Sequence, residues 1–335
     1  MGSDRVVNGA AAEQRARGVS DRRAELMFGA LACVVLLLIA IMVVIVFAKA
    51  WPSFRENGLA WFGAPDEPKE TTDSLQGRIF DNEALYKFRA WPLIAGTVLT
   101  TGGAIVFGLV LSLLSAIFIV EFAPERLRRV LEPVVRLLAA VPSVVYGLIG
   151  VLVLVPFVGN HLITEKQRES VAGIIQLDGA GLAVAVVILT VMITPIMVAI
   201  TVDALRAVPR SWREGSAALG VNRWRTIWRI SVRTARPAIV AAVVLATARA
   251  LGEAIMLSMV SGSVSFAPNP FDGIIFFVEP TRTFAADVVD QSEALSTQAG
   301  GQTLYAVGAV LMVSALFLSF AGWAAKRPLR RYGLL

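Results

Sequence analysis

The sequence predicts an all-α integral membrane protein with six transmembrane helices. Three observations carry that prediction. Hydrophobic residues make up 56% of the chain, and mean hydropathy is +0.69, well above the roughly 45–50% apolar content of soluble domains. Six stretches stay apolar over about 20 residues, the length that crosses a hydrocarbon core about 30 Å thick. Lysine and arginine gather beside alternate stretches, the bias that orients membrane proteins.

The first stretch, Gly29–Ala48, follows polar, alanine-rich residues 1–20 that read as a mobile tail. Arg22-Arg23 before it and Ala48-Lys49-Ala50 after it imitate a cleavable leader. Its apolar run exceeds the roughly 7–15 residues of a leader, however, so it reads as a retained span. Leu93–Val120 is long enough to tilt. Leu137–Asn160 and Gly179–Val202 contain Pro142, Pro156 and Pro195, which kink helices and free backbone groups that must be satisfied inside a bundle. Ala238–Val260 and Leu304–Ala325 complete the set.

Orientation follows from the bases. The first 28 residues, Glu121–Leu131, Asp203–Arg236 and Lys326–Leu335 hold 20 Lys and Arg, against 8 in the other three loops. Both termini and the loop around Ser211 are therefore expected on the cytoplasmic side of a bacterial plasma (inner) membrane. The expected organisation is a cytoplasmic tail (1–28), a first transmembrane helix (29–50), an outer loop (51–92), a core of five helices (93–325) enclosing a cytoplasmic loop (203–236), and a second tail (326–335). The outer loop is acidic over Asp66–Asp81, a segment that matches no motif.

Composition excludes several chemistries. The net charge of +6 lies beside the spans, so it reads as topology rather than as nucleic-acid binding. Cys33 and His161 are the only residues of their kinds, so the sequence has no intrachain disulfide, thiolate site or histidine metal cluster. No Walker A pattern occurs, so ATP and magnesium belong to a partner, and no cofactor is expected in this chain.

Within the basic loop, Ser211-Trp212-Arg213-Glu214 has the form of a capping box that starts a short helix. Gly220 is placed to end that helix in a left-handed conformation. Asn222 is placed to cap a second helix carrying Arg223 to Arg229. A helix-turn-helix across the membrane surface results. By itself such a basic element only holds an interface.

The spacing of Glu214, Gly220 and Ile230, with Ala217 and Ala218 between the first two, resembles the EAA motif of ABC importer permeases. Gly215-Ser216 stand where the motif has two alanines, and Val232-Arg233 where it has Leu-Pro. Pro92–Thr97, Glu121–Arg126, Ala140–Gly147 and Arg249-Ala250-Leu251-Gly252-Glu253 resemble the phosphate permeases of the Pst system, over roughly Pro92–Ala324. The span before a long outer loop favours the PstC-type subunit. The resemblance implies a type I (MetI-like) permease fold whose cytoplasmic coupling helix docks on an ATPase. It implies as partners a PstA-like second permease, a PstB-like ATPase dimer and an external PstS-like phosphate-binding protein.

Arg249 is the twelfth of the 23 residues of Ala238–Val260 and Glu253 lies one turn on. A central charge costs about 2.5–3.5 kcal/mol on insertion scales, so both should face the interior and have partners. Either they neutralise one another and only order the bundle, or they meet substrate. Phosphate carries negative charge and an O–H, which suit a guanidinium fork and an accepting carboxylate respectively; sulfate lacks the O–H. Thr97, Thr100, Ser143 and Tyr146 are secondary hydroxyl candidates, although hydroxyls in spans commonly bond their own backbone. Rival readings are an importer of sulfate or molybdate, and a secondary transporter with Arg249 and Glu253 as a proton relay. No nucleophile and base converge as in an enzyme.

Overall fold

The computed structural model describes residues 3–64, 87–171 and 176–330, with side chains over 25–64, 87–169 and 176–324. The acidic segment 66–81 lies outside the described residues. Six helices are long and apolar enough to cross a membrane, and the described structure is almost wholly helical.

Contacts divide the chain into two units, residues 1–49 and 50–335. Helix α1 spans Ser3–Asn57. Residues 1–20, expected as a mobile tail, are helical in backbone from Ser3, because an alanine-rich run without proline lets the span's helix continue backward. In residues 25–49 most apolar side chains, among them Leu31, Leu37 and Met42, are exposed, as a lipid-facing helix requires. In the second unit, α1's last turns are fastened by the buried Ser53, whose hydroxyl is 3.3 Å from Thr303 Oγ1 and accepts from Trp61 Nε1 at 3.2 Å. Helix therefore extends into the expected outer loop.

The remaining elements are α2 (Trp91–Phe122), α3 (Glu125–Ala139), α4 (Ser143–His161), α5 (Glu165–Val171), α6 (Leu182–Arg206), α7 (Arg210–Ala218), α8 (Arg223–Leu251), α9 (Ile255–Val260), α10 (Ile275–Val278), α11 (Phe284–Asp290) and α12 (Gln298–Arg330). The α2–α6 interface is the most extensive, with α8 against α6 next. Their core joins Ala104, Ile188, Leu189, Met192, Ile193 and Ala246; small residues on one helix admit branched ones from the next.

Two further spans differ from expectation at a break in the helix. The third begins at Ser143, not Leu137. Leu137 belongs to α3, a separate amphipathic helix. Pro142 disfavours helix at Val141, so it starts the span rather than kinking it. Pro156 instead follows a π-helical turn, Gly150–Leu154, one way a helix absorbs a residue that cannot donate. The fifth span ends at Leu251, where Gly252 and Glu253 bond back to Ala248 and Ala250 carbonyls and the helix stops. Residues 252–297 then form an irregular segment with the short helices α9, α10 and α11. It is fastened to the start of α6 by Gly181 N–H to Val260 O (3.1 Å) and Leu182 N–H to Glu279 O (3.0 Å). Such backbone persists beside a bilayer only where protein satisfies its polar groups.

Candidate functional site

The loop between α6 and α8 folds as a hairpin of helices. The expected capping box does not form: α7 starts at Arg210 after Pro209, with no side-chain cap. Proline at the N-cap presets the entry two residues earlier and leaves Ser211 inside the first turn. The end of α7 is as expected. Gly220 has φ +74° with open space around it, its N–H bonds Ala217 O at 2.9 Å and Val221 N–H bonds Ser216 O at 3.2 Å, which closes the helix. Asn222 Oδ1 accepts from Trp224 N–H at 2.8 Å and starts α8. The second helix is not a separate surface helix. A π-helical turn, Ile227–Val232, carries it without interruption into the fifth span.

Glu214, Ala217 and Ala218 are exposed on one side of the hairpin, and Ile230 is half-buried behind it. Ser216, which stands where the motif has alanine, is buried and shares a 2.8 Å hydrogen bond with Thr226. That bond pins α7 to α8. A cleft of about 390 Å³ lies against the hairpin, lined by Glu121, Arg210, Arg213, Glu214 and Arg223 among others. Arg213 pairs with Glu121 at 3.1 Å. Glu121 was legible only as part of a family-like string, with no role attached.

Arg249 and Glu253 are separated by the break in the fifth span. Arg249 occupies the last turn of α8 and is exposed, whereas Glu253 is 9% exposed. Among the described residues no ion pair joins them. Instead Glu253 Oε1 accepts from Met256 N–H at 3.3 Å, serving the first turn of α9. The expectation of a mid-span pair one turn apart fails because Gly252 ends the helix and turns the carboxylate inward. Gly147 matters to this placement: a Cβ there would lie 3.2 Å from Met256 Cα and 3.0 Å from Met259 Sδ, so glycine lets α9 rest on α4.

The hydroxyl candidates separate. Tyr146 is buried and donates to Leu138 O at 2.9 Å across the α3–α4 break. Thr97 donates to Leu93 O at 2.7 Å and accepts from Phe284 N–H at 3.0 Å, so it ties α2 to α11. Thr100 is wholly buried and its hydroxyl has no hydrogen-bond partner among the described residues, and Ser143 is half-buried at the start of α4.

The irregular segment holds a charge cluster that sequence reading passed over, although Arg282 is the single base in that stretch. Buried Arg282 donates to Ser265 Oγ (3.1 Å), Asp287 Oδ1 (3.3 Å) and Ser263 O, and pairs with Asp290 at 3.2 Å. Asp290 also accepts from Ser258 on α9. Nearby Glu279 accepts from Asn269 N–H at 3.1 Å. Burial pushes its pKa up to about 7, the Asn269 hydrogen bond opposes this, and Asp272 adds repulsion in the same direction as burial.

Residues 104–327 match the family described as the binding-protein-dependent transport system inner membrane component. Among similar proteins, a probable ABC transporter permease protein, YqgH, of Bacillus subtilis is 33% identical, with 88% of each chain covered. The phosphate transport system permease protein PstC 1 of Mycobacterium tuberculosis is 35% identical over 85% of this chain and 87% of its own. The fold is shared with a chain of the inward-facing MetNI methionine ABC transporter, with a TM-score of 0.50, 19% identity, and coverage of 71% of this chain and 96% of that one. The six apolar helices, the EAA-like hairpin and these matches together place the chain in the family of inner membrane components of binding-protein-dependent transport systems.

Proposed function

We propose that the chain is one permease subunit of an ATP-driven importer of inorganic phosphate, the PstC-type half of a pore completed by a PstA-like permease. A PstB-like ATPase dimer supplies hydrolysis of Mg-bound ATP, and an external PstS-like protein delivers phosphate. The observation that carries this reading is the hairpin: Glu214, Ala217 and Ala218 face outward while the Ser216–Thr226 bond holds them from behind. That is a surface built to be pushed. The relatives named for phosphate transport, alike over more than four-fifths of the chain, support the substrate.

In this reading both termini and the hairpin are cytoplasmic and the 252–297 segment lies toward the outer face. ATP closes the ATPase dimer and draws on α7, the spans open outward to receive phosphate, and hydrolysis resets them. Arg249, exposed on this protomer, serves the oxyanion where the two permeases meet. Glu253, with Oε1 committed to Met256, keeps its second oxygen for a phosphate O–H. Thr97, Ser143 and Tyr146 border the pathway, Thr97 and Tyr146 by shaping its walls.

The test is uptake of labelled phosphate in cells that depend on this permease, with co-purification of its partners. Arg249→Ala should abolish uptake while an ATPase and a second permease still co-purify. Normal phosphate uptake by both Arg249→Ala and Glu253→Gln refutes the site. Recovery of this chain alone, with Glu214→Ala silent, favours a secondary transporter.

A further inference from the structure

We infer that the second span, α2, is the rod that carries the hairpin's displacement to the outer segment, and that Glu121 and Phe122 are the handle by which the hairpin grips it. The inference rests on the hairpin docking an ATPase, as proposed above. Covalent continuity alone would send that displacement only into α6 and α8, between which the hairpin is strung.

The gripping end is a π-helical turn, Phe118–Phe122, at the cytoplasmic end of α2. A wide turn followed by a helix end leaves carbonyls without intrahelical donors. Arginines from two other elements take them. Arg128 of α3 donates from Nε to Ile119 O (3.0 Å) and from a terminal nitrogen to Val120 O (2.9 Å). Arg223, at the start of α8, donates to Glu121 O and stacks 4.6 Å from the centre of the Phe122 ring. Arg213, from α7, pairs at 3.1 Å with the Glu121 carboxylate, whose side chain is only 10% exposed. Both arms of the hairpin thus hold two adjacent residues of α2.

The far end of the rod is equally fixed. A Cβ at Gly96 would fall 2.3 Å from Arg282 O, so backbone meets backbone there without clearance. One residue on, Thr97 Oγ1 accepts from Phe284 N–H at 3.0 Å. Gly96 and Glu121 lie on one continuous helix of 32 residues, roughly 38 Å apart along its axis at 1.5 Å per residue. A displacement at Glu121 is therefore delivered to the Arg282 cluster, which in turn holds α9, the helix that Glu253 caps, through Asp290 and Ser258.

The test uses the assembled importer in lipid nanodiscs and vesicles, comparing wild type, Glu121→Gln, Arg213→Glu and the swap Glu121→Arg/Arg213→Glu. Hydrogen exchange of residues 281–290 is read with and without ATP and vanadate, and phosphate moved per ATP hydrolysed is read in vesicles. Wild type should show an ATP-dependent exchange change at 281–290. Each single variant should keep the ATPase bound, lose that change, and move about five-fold less phosphate per ATP or worse; the swap should restore both. Phe122→Leu, which keeps the charge pair and removes the ring beneath Arg223, should lower the ratio in the same direction. Wild-type exchange and wild-type yield in both single variants, no ATP-dependent change at 281–290 in wild type, or a swap that binds ATPase without restoring yield would each overturn the clamp. A wild-type preparation without ATPase would overturn the functional reading along with it.

Discussion

The separation of Arg249 from Glu253 makes a quantitative prediction. If the two neutralised one another inside the protein, removing either partner would strand a buried charge at about 3–5 kcal/mol, and removing both would relieve most of that cost. The structure argues otherwise. Arg249 is exposed on the protomer, so Arg249→Ala should change protomer stability by no more than about 0.5 kcal/mol. Glu253→Ala removes the acceptor of Met256 N–H and leaves that amide buried, which costs about 1–2 kcal/mol. The double variant should equal the sum within about 0.5 kcal/mol. Thermal unfolding of the isolated chain in detergent measures this: a shift under about 1 °C for Arg249→Ala, a fall of about 1.5–3 °C for Glu253→Ala, and about the same fall for the double. Two large single effects with recovery in the double would refute the reasoning and restore the pair.

Two more predictions follow from local geometry. Gly220→Ala meets no atom within 4 Å, so its whole cost is the left-handed backbone, about 1–2 kcal/mol; the chain should remain folded while ATPase recovery in pull-downs falls, with Gly220→Asn falling less. Glu279 binds its proton more tightly folded than unfolded, so stability should drop as pH rises from about 4.5 to about 7 and level off above, by at most about 3 kcal/mol. Melting temperatures at pH 5 and pH 8 should converge in Glu279→Gln, and an unchanged gap would count against the buried carboxylate.

The sequence by itself determined much of what depends on local composition. Six apolar runs gave six spans because a bilayer imposes a minimum length of unbroken helix. Gly220 and Asn222 announced the hairpin's turn and its second cap because those residues act on backbone within two or three positions. Ser211 misled, because Pro209 had already set the entry to α7. Leu137 misled because an amphipathic helix abutting a span reads as one apolar run, and only the break before Pro142 divides them. What the tertiary structure alone decided is which polar groups meet. Arg249 and Glu253 are four residues apart, yet a helix break sends one outward and the other under α9. Glu121 and Arg213 are 92 residues apart and yet 3.1 Å from each other. Sequence spacing predicts contact only while one helix continues; once it stops, contact is fixed by how the helices pack.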